Sequence, residues 1–144
     1  MATSVFDVAA YILGKLGAMS TMKLQKLVYY SQAWSLVWDE DILFPEKIRA
    51  WANGPVVAEL FDAHRGKYRV NTDDIKGDVN KLSTAQTETV DAVIQSYGDK
   101  SPQWLSDLTH MEAPWREARA GIPDGERGSV EITPAKMLEY YSSL

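Results

Sequence analysis

Cysteine is absent from all 144 residues, which removes disulfides, thiolate metal sites, iron–sulfur clusters and cysteine nucleophiles together. The absence fits a cytoplasmic protein. No apolar run approaches the roughly 20 residues that a membrane-spanning helix needs. The N-terminal MATSVFDVAAYILGKLG is interrupted by Asp7 and Lys15 and lacks the basic start of an export signal, so it reads as a helix of a globular domain. Basic residues are in deficit, 15 against 20 acidic, for a formal charge of -5. That balance repels a phosphate backbone unless the cations are segregated onto one face, and it disfavours nucleic acid as a partner.

Catalytic patterns are also scarce. The two histidines, His64 and His110, are far apart in the chain, and neither belongs to a HExxH or His-x-His arrangement of the kind that holds zinc. Gly121, Gly125 and Gly128 follow no strand pattern and no Gly-Lys-Ser/Thr closes them, so they do not form a phosphate loop. The adjacent pairs Glu40-Asp41 and Asp73-Asp74 lie in loop-like sequence, where solvated carboxylates carry no implication of acid/base work. No metal site, cofactor or catalytic set is assigned.

What is present is helical patterning with clear punctuation. Ser4 and Asp7 form a capping-box pattern ahead of Val5, Val8, Ala9, Ile12, Leu13 and Leu16 at helical spacing, and Gly17 ends the run. Ser20 or Thr21 caps a second helix. There Leu24, Leu27, Val28, Ser31, Ser35 and Trp38 are expected on the inner face, with Lys23, Lys26 and Tyr30 pointing elsewhere. Ile42 to Phe44 and Lys47 to Asn53 read as short strands around Pro45, a small hairpin, with Ile48, Ala50 and Ala52 on one face and Arg49, Trp51 and Asn53 on the other. Asn53-Gly54 signals a turn, and Pro55 suits the first position of a further helix.

Residues 65–81 read as an irregular connection long enough to hide an element. Ser83 and Gln86 give a second capping box, Ser101-Pro102 and Thr133-Pro134 start further helices, and Pro114 opens a short one. These elements predict a single α+β domain over 1–144, predominantly helical, with one small β-hairpin or sheet. Of the five tryptophans, Trp34, Trp38 and Trp104 are expected in the core, whereas Trp51 is either a core anchor or a displayed side chain, because Arg49 and Asn53 share its face.

Taken in order, DVAAYILGKLG, MKLQKLVYYSQAW, IRAWANGPVVAELFDAH, LSDLTHMEAPWREAR and ITPAKMLEYY resemble the Panacea, or SocA-like, antitoxin domain over nearly the full length. The family motif falls on Lys23, Leu24, Gln25, Lys26, Leu27 and Tyr29, then Trp51, Gly54, Pro55 and Val56, then Leu108, His110, Pro114 and Trp115. The resemblance implies an antitoxin that neutralises a cognate protein toxin by direct contact, not an enzyme, with the toxin encoded nearby in a bacterial or phage operon, a setting that includes phage defence. Toxins of the related systems often act on translation, alarmone-synthetase-like enzymes among them, and some family members hand their toxin to a protease. Lys23, Gln25, Tyr30, Arg49, Trp51 and Asn53 are the expected partner contacts. Two competing functions stay open: a hydrolase or transferase centred on His110 with His64 or Glu112 assisting, and a DNA-binding autorepressor using the Lys23/Lys26 face.

Overall fold

Local capping chemistry sets most of the helix ends. In the computed structural model, which describes residues 2–144, Ser4 accepts from the Asp7 N–H while Asp7 accepts from the Ser4 N–H, and this reciprocal box starts α1 (Val5–Leu16). Ser20 caps α2 (Thr21–Trp38), Ser83 and Gln86 box α4 (Thr84–Tyr97), and Ser101 and Thr133 cap α5 (Pro102–Met111) and α7 (Pro134–Tyr141), each with proline in the first turn. Between them lie α3 (Ala58–His64) and α6 (Ala113–Ala118). The fold is α+β and predominantly helical, with two small sheets.

Helix α2 is the axis of the molecule. It packs against α1, α4, α5 and α7, and every residue from Leu24 to Ala33 is buried. A helix enclosed on all sides cannot show a clean apolar stripe, so polar side chains on it must find partners inside. Lys26 and Tyr30, expected to point outward, are therefore interior residues, 1% and 0% exposed. Two glutamines seven residues apart pin non-helical chain to α2. Gln25 Oε1 accepts from the Val57 N–H at 2.9 Å and its Nε2 donates to the Val57 carbonyl at 3.3 Å. Gln32 does the same for Leu43 and Phe44, at 2.6 and 2.8 Å.

That second clamp corrects the expectation for Ile42 to Phe44. The segment is not a strand, since its backbone is satisfied by Gln32 rather than by a ladder. The hairpin instead joins β2 (Ile48–Trp51) to β3 (Gly54–Val57), antiparallel, with Trp51 opposite Gly54 and Ala50 opposite Pro55; β5 (Glu131–Ile132) lies on the other side of β2. Pro55 thus sits in a strand and not at a helix start. Ala50 sends its N–H to the Val130 carbonyl and its own carbonyl accepts from Arg119, both away from β3. The residue facing it needs no N–H toward β2, so an edge proline is accommodated.

The connection at 65–81 does hold hidden elements. β4 (Arg69–Val70) pairs antiparallel with β1 (Met19–Ser20), and residues 79–81 make one 3-10 turn. The segment is fastened to the start of α1, where Asp7 Oδ1 accepts from the Asp78 N–H at 2.8 Å. Gly77 passes so close to the Phe6 carbonyl that a Cβ there would collide with it.

The tryptophans divide differently from expectation. Trp34 is half-buried and donates to the Tyr97 hydroxyl, but Trp38 and Trp104 are 51% and 44% exposed. Trp38 lies at the end of α2 stacked on Trp34, and Trp104 lies in the first turn of α5 under the Lys100 ammonium, so each covers a neighbour instead of filling the interior.

Candidate functional site: a groove beside the hairpin tip

A groove of about 830 Å³ opens beside the hairpin tip. The first two turns of α2 form its floor, the hairpin tip at Trp51–Asn53 and α3 form its walls, and residues 127–129 close one end. Trp51 projects from the outer face of β2, half-buried, with its ring edge-to-face against Phe61 at 5.0 Å and its indole N–H donating to Ser129 Oγ at 3.2 Å. The adjacent Arg49 donates to the Ser129 carbonyl. Alternation along β2 therefore works as expected: Ile48 and Ala50 enter the core, while Arg49 and Trp51 face outward.

Lys26 crosses beneath the hairpin. Its Nζ donates to the Pro55 carbonyl at 3.3 Å, and no ion pair reaches it among the described residues. Burial of the ammonium pulls its pKa from 10.5 down to about 8. Beside it, the Gln25 amide donates to His64 Nε2 at 3.0 Å, so His64 carries its proton on Nδ1 and is neutral; burial lowers its pKa.

The remaining expected contact residues fall as follows. Asn53 is exposed at the groove's rim, and Trp51 lines it. Lys23 is half-buried, and its Nζ donates to the Gly98 carbonyl at the end of α4 at 2.6 Å. Gln25 is spent on Val57 and His64, and Tyr30 is enclosed in the core, so neither side chain offers a free group at the surface in this conformation.

Tyr30 belongs to a buried network that the sequence did not reveal. Its hydroxyl donates to Glu112 Oε1 at 2.7 Å. Tyr141 Oη lies 2.8 Å from the same oxygen and 3.0 Å from Tyr29 Oη. The single Tyr141 proton goes to the carboxylate, which leaves Tyr29 to donate to Tyr141. Burial raises the Glu112 pKa against the lowering effect of the two hydroxyls, and burial also holds the tyrosines well above the ordinary range.

The three groups suggested for a His110-centred site are engaged separately. His110 Nδ1 donates to the Ser106 carbonyl at 2.6 Å, its Nε2 lies 3.4 Å from the Ala52 carbonyl, and its ring packs on Trp115 at 4.0 Å. His64 bonds Gln25 and Glu112 bonds the tyrosines, and no hydrogen bond joins any of them to His110. Nor is the Lys23/Lys26 face free for phosphate, because one ammonium caps a helix and the other is buried. No group of three potential metal-ligating side chains occurs among the described residues. No helix among them is long and apolar enough to cross a membrane.

Further residues hold the hairpin in place. Trp115 Nε1 donates to the Trp51 carbonyl at 2.8 Å, and buried Arg119 ties the Ala50 carbonyl to the Glu126 carbonyl at 3.1 and 2.6 Å. Arg119 had no signal in the sequence beyond its place just after a short helix. The motif residues Lys23, Gln25, Lys26, Gly54 and Trp115 are thus one set of fasteners between α2, α4, α6 and the hairpin.

The candidate site that results is a groove with aromatic walls over a polar floor, displayed by a helical scaffold. Residues 24–116, well over half of the chain, match the family described as "Antitoxin SocA-like, Panacea domain", and the chain belongs to that family. Membership gives it the general role of an antitoxin, whose counterpart is a toxin. No curated protein and no solved structure matches it.

Proposed function

We propose that this antitoxin neutralises its toxin by direct protein contact through the groove beside the hairpin tip. The observation that carries the reading is Trp51: a large aromatic held half-exposed in the groove by Phe61, Ser129 and Trp115, on a hairpin fixed to the central helix. Pre-organised aromatics of this kind lose little freedom on binding and dominate many interfaces. Asn53 lies at the rim of the same surface and Arg49 holds Ser129 at its edge, whereas Gln25 supports it from within.

The toxin is encoded by the neighbouring gene and acts on translation, with alarmone-synthetase-like enzymes the class that the resemblance favours. Binding that covers the toxin's substrate site requires no chemistry from the antitoxin. The test is to co-express the chain with the adjacent gene product and purify by a tag on this chain alone. A stoichiometric complex and restored growth are expected. Rescue without a complex points to delivery to a protease or to transcriptional control, and toxicity that persists beside soluble antitoxin overturns the reading.

A further inference from the structure

The protein is acidic overall at -5, yet the lining of the groove contains Lys26, Arg65 and Arg127 and no aspartate or glutamate. Lys26 forms part of the floor. Arg65 stands at the wall with its guanidinium over the Phe61 ring at 5.3 Å, paired with Asp62 at 2.9 Å. Both members of that pair are largely exposed, so the pairing is weak and can be exchanged for another carboxylate. Arg127 is exposed and makes no ion pair among the described residues. His64, neutral in its hydrogen bond to Gln25, adds no positive charge to this set.

A local reversal of sign on an otherwise acidic molecule has a directional consequence. A carboxylate-rich stretch is repelled by the general surface and attracted only where cations gather, which selects one docking position and one register. The walls add an apolar requirement, because Trp51 and Phe61 meet edge-to-face and present ring surface between the two arginines and the floor. Lys26 has a further bearing. A buried ammonium with one carbonyl partner is an energetic cost to the free protein, and an anion arriving above it offsets that cost.

We propose that the groove receives an acidic segment of the toxin, whose carboxylates meet Arg65 and Arg127 and whose apolar side chain packs on Trp51 and Phe61 over the Lys26 floor. The inference deepens the reading of direct toxin contact and rests on it. It also assigns a division of labour: the acidic outer surface favours approach of a basic toxin body, while the groove takes that toxin's own acidic stretch.

The test uses the full chain and the intact product of the adjacent gene. Affinity is measured for the wild type, for R65E/R127E, and for K136E as a charge reversal outside the groove, after thermal melts show that all three are folded. In parallel, a photo-crosslinking residue, p-benzoylphenylalanine, replaces exposed Asn53 at the groove rim, and the attached toxin peptide is identified by mass spectrometry. The expected result is an affinity loss of about tenfold or more in R65E/R127E, no comparable loss in K136E, and a cross-link to an acidic stretch.

The proposal is overturned if R65E/R127E binds as tightly as the wild type, if K136E loses as much, or if the cross-link is missing or falls in neutral or basic sequence. It is equally overturned if single-stranded oligothymidylate binds the free protein and displaces the toxin, which would make the groove a nucleic-acid site. Absence of any complex with the wild type removes the direct-contact reading itself. A wild-type complex that survives R65E/R127E removes only the acidic-segment assignment.

Discussion

A Cβ on Gly54 would lie 2.8 Å from Lys26 Cε and 3.0 Å from its Nζ, so the glycine at the hairpin's closing position makes the space in which the lysine is buried. The same glycine has φ +120, a conformation that side-chain-bearing residues rarely adopt. Gly54→Ala therefore incurs backbone strain and a steric clash together. It is expected to cost about 2 kcal/mol or more of stability, read as a lower urea midpoint with an unchanged slope. An unshifted midpoint would mean that Lys26 moves aside freely.

Lys26 itself makes stability depend on pH. Its folded pKa of about 8 lies below the ordinary 10.5, so between these values the unfolded chain binds more protons than the folded one, and stability rises with pH across that window. The full difference corresponds to about 3 kcal/mol. Lys26→Met should remove the rise between pH 8 and 10.5. A variant whose stability still climbs as the wild type does would place the titration elsewhere.

Glu112 acts with the opposite slope. Burial raises its folded pKa above the ordinary 4.5, so stability falls as pH rises from that value through the folded pKa, and the penalty is complete above it. Glu112→Gln keeps an acceptor for Tyr30 and Tyr141 without the charge. Its melting temperature is expected to vary less between mildly acidic and neutral pH. If the profile is unchanged, the carboxylate does not titrate in that range.

Gly77→Ala tests the fastening of residues 65–81 to α1. The added Cβ collides with the Phe6 carbonyl and displaces the Asp78 N–H from Asp7. Burial alone would raise the Asp7 carboxyl, but the hydrogen bonds from Asp78 and Ser4 together outweigh it and hold the group below its ordinary value, so they contribute stability at neutral pH that is lost as pH falls through the folded pKa. The variant should be less stable by about 1 to 3 kcal/mol and lose amide-exchange protection at Asp78. Retained protection would show that the segment shifts as a unit.

Helix starts were legible because a cap is local: Ser4 with Asp7, Ser83 with Gln86, and Thr133 before Pro134 state their roles within four residues. Pro55 was not, because a helix's first turn and an edge strand both tolerate a missing N–H, and the choice is made by Ala50 and Arg119, remote in sequence. Burial of Lys26 and Gln25 was hidden for a related reason. Polar residues on an enclosed helix look like a solvated face until β3 supplies the Pro55 and Val57 groups they bond. Trp51 is legible in the sequence only as a core anchor or a displayed side chain, and it occupies both roles, packed edge-to-face on Phe61 and lining the groove.

The central claim is that the groove around Trp51 binds the toxin, and the most direct measurement is the affinity of Trp51→Ala for the adjacent gene product beside its own folding stability. Because Trp51 is half-buried, truncation should cost about 1 kcal/mol of stability and about 2 kcal/mol or more of binding, with growth no longer restored. A variant that stays folded, binds as tightly as the wild type and still rescues growth would contradict the account.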